Sequence, residues 1–179
     1  MSLAKHCSVL ALCFCSIASQ AQITFGPQYE EKKAEAETRE LNLMNHQFLD
    51  RQRAVADDLL RSKLGRQLHQ TRNDLYLIQR MIDRGYLEGA DKGTLQAFGA
   101  AIGDVYAHEN KHLDWRVYED ELGASHAVCV DDTQHCIFPM TLLSRRMQVG
   151  VRPDVVKIYG NVLESIKPHI PRLPYSRDQ

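Results

Sequence analysis

Apolar residues recur at helical spacing from Leu41 through Met44, Phe48, Val55, Leu59 and Leu64, which predicts an amphipathic helix closed by Gly65. The twelve residues before it, Tyr29 to Glu40, are charged and almost free of large apolar groups, and read as a solvated arm or helix extension. Thr71-Arg-Asn-Asp74 has the form of a helix start, followed by Leu75, Ile78, Met81 and Ile82 on one face and Gly85 at the stop. After a Gly89–Gly93 turn, Leu95, Phe98, Ile102, Val105 and Tyr106 form the cleanest helical stripe in the chain and predict its central core helix. Gly99 and Gly103 share one side of that helix, where each costs about 1 kcal/mol against Ala, so a neighbouring backbone is expected to pass close by.

The period then changes from 3.6 to two. Leu113–Asp120 alternates, and Ala127–Val130 and Cys136–Phe138 flank a polar turn, which predicts a three-stranded antiparallel meander. Pro139 ends the last strand. Thr141–Met147 reads as a short helix before Gly150, and Pro153 and Asp154 open a helix carrying Val155, Ile158, Tyr159, Val162 and Ile166 on one face. Pro168, Pro171 and Pro174 predict an extended tail. The expected class is therefore α+β: a small meander packed against several helices, with a long N-terminal helix.

The first residues place this fold in the cell. Lys5, an apolar run from Val9 to Ile17, and small or polar residues up to Gln22 have the three-part layout of a secretory leader, with cleavage expected after Ala21. The apolar run is about half of the roughly 20 residues that a membrane span requires, so no anchor is expected after processing. Cys13 follows Leu12 and Cys15 follows Phe14, which disfavours lipid attachment. The expected organisation is a leader over 1–21, a charged arm over 22–40, a single domain over 41–170 and a tail over 171–179. A bacterial periplasmic or secreted location follows.

Charge and cysteine content narrow the classes. The formal charge of −1 becomes −2 once Lys5 leaves with the leader, and so balanced a surface gives no field to attract nucleic acid. Of five cysteines, only Cys129 and Cys136 lie beyond the leader. A four-residue loop, Asp131–Gln134, sets these two opposite each other in a non-hydrogen-bonded pair, so a disulfide is favoured. Zinc is the alternative, since His126, Cys129, His135 and Cys136 have the right ligand types.

Two further constellations carry candidate chemistry. His108-Glu-Asn-Lys-His112 satisfies H-E-x-x-H, in which His108 and His112 bind zinc and Glu109 activates water. Asn110 predicts a helix end inside the motif, Lys111 sets a like charge beside the metal, and no third ligand follows, so a zinc hydrolase is the weaker reading. Glu119, Asp120 and Glu121, with Arg145 and Arg146, are expected to line a polar groove beside Trp115 where a ligand or partner docks. Ser125 next to His126 lacks a nucleophile elbow, and no Gly-rich phosphate loop follows a strand.

The stretch from about Leu75 to Ile166 resembles the bacterial domain-of-unknown-function family numbered 3806. The resemblance is carried by Leu113-Asp-Trp-Arg-Val-Tyr-Glu-Asp-Glu-Leu-Gly123 and by Phe138-Pro-Met-Thr-Leu-Leu-Ser-Arg-Arg146. It implies an α+β fold and no activity. Cys129, Cys136 and the histidines lie outside its pattern. The expected function is a noncatalytic exported protein that needs no cofactor and binds a protein or small-molecule partner in the envelope.

Overall fold

The computed structural model describes residues 36–131 and 133–171. The expected leader, most of the expected arm and all but the first residue of the expected tail lie outside them.

Helix α1 runs over Leu43–Leu64. Asn42 caps it: its Oδ1 accepts from Asn45 N at 3.0 Å, and Asn45 Oδ1 accepts from Asn42 N at 3.1 Å, satisfying two N–H groups that the first turn leaves open. Gly65 closes it at φ 62°, a left-handed conformation that glycine adopts without strain. Helix α2 spans Arg72–Asp83 and α3 spans Lys92–Glu109, with Asp91 Oδ1 accepting from Thr94 N at 3.0 Å. As its stripe predicts, α3 is the central helix, and Leu95 and every residue from Ala97 to Tyr106 are buried. It packs against α1, α2, the sheet and a 3₁₀ turn at Pro139–Thr141.

Both glycines of α3 mark close approaches, of different kinds. A Cβ on Gly99 would lie 2.5 Å from the Pro139 carbonyl oxygen, so there the neighbour is backbone, as expected. At Gly103 it is instead a side chain, the Trp115 indole.

The sheet is antiparallel and has four strands in the order β1-β2-β3-β4: Glu37–Glu40, Leu113–Asp120, Gly123–Val130 and Cys136–Ile137. The expected meander is β2 to β4. The fourth strand, β1, comes from the end of the expected arm and pairs with β2 from Glu37↔Glu119 to Glu40↔Arg116. It has no apolar residue to signal a strand. Opposite charges support it instead, with Arg39 Nε 3.6 Å from Glu119 Oε2 and Arg116 Nη1 3.1 Å from Glu40 Oε1. Such a charged edge also discourages pairing with other chains.

Strand β3 begins at Gly123 rather than Ala127, because a two-residue turn at Glu121–Leu122 keeps it paired with the whole of β2. Phe138 has already left the sheet. The expected 141–147 helix is split into the Pro139–Thr141 turn and a short α4, Ser144–Met147. Helix α5 covers Val155–Ile166 behind an Asp154 cap, and Pro168 lies in a 3₁₀ turn, Lys167–His169, rather than in extended chain. Among the described residues no helix is long and apolar enough to cross a membrane.

Candidate functional site

Helix α3 is apolar nearly all round, yet it carries Asp104, which is only 6 % exposed. A carboxylate removed from water needs hydrogen-bond partners to remain charged. Arg53 of α1 supplies two: its Nε donates to Asp104 Oδ2 and its Nη2 to Oδ1, each at 2.7 Å. Trp115 Nε1, from β2, donates to the same Oδ1 at 2.9 Å. The remaining nitrogen, Arg53 Nη1, donates to Asp50 Oδ1 at 2.7 Å. The bond to Asp104 raises the pKa of Arg53 above the ordinary guanidinium value, against the opposing effect of burial. This cluster ties α1, α3 and the sheet together.

Beside it lies a cavity of about 210 Å³ walled by α1, α2, α3 and the loop between α1 and α2. Arg53, Asp57, Asp74 and Asp104 are its ionisable wall residues, and Ala54, Leu68 and Ala101 give it apolar surface. Asp57 is occupied at both oxygens, accepting from Leu68 N and from Arg61 Nε. Asp74, near the start of α2, is 1 % exposed. Its Oδ2 accepts from His69 N at 2.8 Å and Thr71 N at 3.3 Å, while its Oδ1 is buried with no partner. The chain bends into this position through Gln70, a non-glycine residue at φ 62° that also lines the cavity.

The model of the domain of unknown function (DUF3806) matches residues 74–159. Residues 74–159 form a DUF3806 domain. Its first residue is Asp74, and it also brings Ala101 and Asp104 to the cavity. Arg53, Ala54 and Asp57, on α1, come from outside the DUF3806 segment. A crystal structure from Bacteroides thetaiotaomicron has the same fold, with a TM-score of 0.67 at 18 % identity. The match covers 76 % of this chain and 50 % of that one, so this chain spans about half the length of that neighbour. No curated protein matches the chain.

The H-E-x-x-H motif does not form a zincin site. Helix α3 ends at Glu109 and Asn110 is extended, so His108 and His112 do not share a helix face one turn apart. Glu109 lies 3.4 Å from Arg72, and His112 Nδ1 lies 3.4 Å from Asp131 Oδ2. Nor do the residues around Cys129 fit zinc. Cys129 and Cys136 stand directly opposite in register, with Cα atoms 4.0 Å apart, and are joined as a disulfide, so neither sulfur is free to ligate. His126 stacks on Phe48 and His135 on His169. Among the described residues no group of three or more His, Cys, Asp or Glu side chains is arranged to hold a metal ion.

The six residues expected to share a groove are not brought together. Trp115 is buried beneath the sheet against Gly103 and Asp104. Strand alternation sends Glu119 and Asp120 to opposite faces, Glu119 toward Arg39 and Asp120 back to Leu122 N, and Glu121 is exposed in the turn. Arg146 donates to the Leu142 carbonyl oxygen, and Arg145 borders a separate 220 Å³ pocket with Phe48, Ser125, His126 and Phe138. Among the described residues, no hydrogen bond or ion pair joins the acidic turn to either arginine. The sequence pattern does not single out Asp74 or Asp104 as site residues. The available signal was Asp104 itself, a lone charge within the most apolar helical stripe of the chain.

Proposed function

We propose that this chain is an exported, noncatalytic binding protein of the bacterial cell envelope, periplasmic or secreted, whose ligand is a small molecule held between α1, α2 and α3. The observation that carries this reading is the 210 Å³ cavity itself, where the ionisable side chains of Arg53, Asp57, Asp74 and Asp104 meet apolar surface from Ala54, Leu68 and Ala101. Export is supported by the leader-like segment before Gln22 and by the Cys129–Cys136 disulfide, which persists in oxidising compartments. The absence of catalysis is supported by the helix end that separates His108 from His112.

The test is expression of the full chain in a bacterial host, followed by mass spectrometry and a thermal-shift screen of small metabolites. A mature chain beginning at Gln22 with both late cysteines oxidised is expected, together with at least one compound that raises the melting temperature. Retention of Met1 with free thiols would overturn the export reading. A screen in which no compound moves the melting temperature would overturn the binding reading.

A further inference from the structure

The sheet leaves one edge unfinished, and we infer that an extended, acidic segment of a partner protein completes it by pairing with Gly123–His126 of β3. Strand β4 consists of Cys136 and Ile137 alone and pairs with Cys129 and Val128. Continued in that register, Phe138 would face Ala127 and Pro139 would face His126. Proline has no N–H to give to a ladder, and the chain departs there into the Pro139–Thr141 turn, which packs on Gly99 of α3. Val130 N donates to the His135 carbonyl oxygen on the β4 side, so by strand alternation the N–H and C=O groups of Val128, His126 and Ala124 point to that side too. Opposite His126 and Ala124 no strand stands among the described residues.

A pocket of about 220 Å³ lies where the strand would have continued. It draws on both faces of the sheet, as a space at an edge must: His126 stacks on Phe48 of α1, while Ser125 points to the opposite face. Phe48, Phe138 and Met140 give it apolar wall. Arg145 also borders it, exposed and in no ion pair among the described residues. Glu119, in register with Ala124, is turned to Arg39 and leaves Arg145 unopposed. The edge from Gly123 to His126 contains no Asp, Glu, Lys or Arg, and Gly123, Ala124 and Ser125 are exposed. At the other edge, Glu37, Arg39 and Glu40 of β1 supply the charge that discourages a further strand; here that protection is missing. Main-chain bonds to Ala124 and His126 hold the guest, alternate side chains reach the apolar wall, and an acidic residue meets Arg145. The guest is therefore a strand-forming segment of alternating apolar and acidic residues. Its pocket shares no wall residue with the cavity between α1, α2 and α3, so the two sites stand or fall separately.

The test uses protein purified from cells expressing the full chain and two end-blocked peptides, Thr-Glu-Val-Glu-Val-Thr and the same peptide with lysine in place of both glutamates, each titrated by ¹H–¹⁵N NMR. The glutamate peptide is expected to shift the amides of Ala124, Ser125 and His126 and to slow hydrogen exchange at Ala124 and His126, and the lysine peptide to bind about fivefold more weakly or worse. Ala124→Pro removes one outward N–H at an edge position that tolerates proline, and is expected to weaken the glutamate peptide by about fivefold. Arg145→Glu changes an exposed side chain and is expected to reverse the preference between the two peptides. Should Ala124→Pro not fold, slowed exchange at His126 in the wild type and its loss in Arg145→Glu decide the matter. No shift at these residues with millimolar peptide would overturn the proposal, as would equal binding of the two peptides or undiminished binding to folded Ala124→Pro. Protection of the same amides that grows with protein concentration in the absence of peptide, with a dimer in sedimentation, would give the edge to a second copy of this chain and overturn the acidic partner.

Discussion

Gly103 lies so close beneath Trp115 that a Cβ on it would come within 2.2 Å of the indole Cζ2. The indole cannot simply withdraw, because its Nε1 is bonded to Asp104, one residue further along the same helix. Gly103→Ala is therefore expected to destabilise the fold by about 1–3 kcal/mol in urea unfolding, even though alanine is the better helix former by about 1 kcal/mol. Wild-type stability in this variant would show that the helix and sheet pack more loosely than described.

Gly160, in the middle of α5, has the opposite environment. A Cβ there would meet nothing within 4 Å, and the residue is not at positive φ. Gly160→Ala is expected to stabilise the protein by about 0.5–1 kcal/mol through helix propensity and a more restricted unfolded chain. Measured beside Gly103→Ala, it separates the effect of contact from that of backbone freedom, and a loss of stability here would contradict the open surroundings of α5.

Asp104→Asn tests the buried cluster. The substitution keeps the shape but leaves the Arg53 guanidinium, 30 % exposed at its side chain, without the anion that compensates its partial burial. A loss of about 2–4 kcal/mol is expected, less than for a fully buried pair because Arg53 retains Asp50 and some water. In a double-mutant cycle, Asp104→Asn added to Arg53→Met should cost much less than it does alone. Additive losses would mean that the two side chains are not coupled.

The elements that were legible in the sequence are those whose signal is local. Helices α1 and α3 were marked by apolar spacing, α1 with a glycine stop and α3 after a glycine-bounded turn, and Leu113–Asp120 by strict alternation. Strand β1 was not legible, since Glu37-Thr-Arg-Glu40 becomes a strand only by pairing with Arg116 and Glu119, some eighty residues away. The end of α3 inside H-E-x-x-H could be read from Asn110 and the strand pattern beginning at Leu113. The cavity could not. Asp74 reads as an ordinary helix-start residue, and only the packing of three helices turns it into a buried carboxylate with one oxygen unengaged. Trp115 shows the same limit: alternation placed it on a strand face, but the groove expected beside it required knowing that Gly103 leaves room for the indole to be buried.

The Cys129–Cys136 bridge closes a short loop between paired strands. In the chain-entropy description, a loop of about eight residues restricts the unfolded chain by roughly 2.5 kcal/mol. Cys129→Ala with Cys136→Ala is expected to lower unfolding free energy by about that amount, and reductant should lower the wild type similarly without affecting the double variant. A double variant as stable as the oxidised wild type would show that strand pairing alone holds the loop.

His126 links stability to pH. Asn45 Oδ1 is committed to the Asn42 N–H in the helix cap, so the group facing His126 Nε2, at 3.2 Å, is the Asn45 amide nitrogen, which can only donate. That arrangement requires an unprotonated Nε2. Burial, against Phe48 and the end of α1, and the positive charge of Arg39 both lower the pKa of His126 below its ordinary 6.5. The unfolded chain therefore binds this proton more readily than the folded one, and stability must fall as pH drops from about 6.5 through the folded value. His126→Gln keeps an acceptor for Asn45 without a titrating group. Melting temperatures measured from about pH 7.5 down to about pH 5 are expected to fall more steeply for the wild type than for this variant. Parallel profiles would mean that His126 does not carry the acid sensitivity, because the remaining titrating groups are common to both proteins.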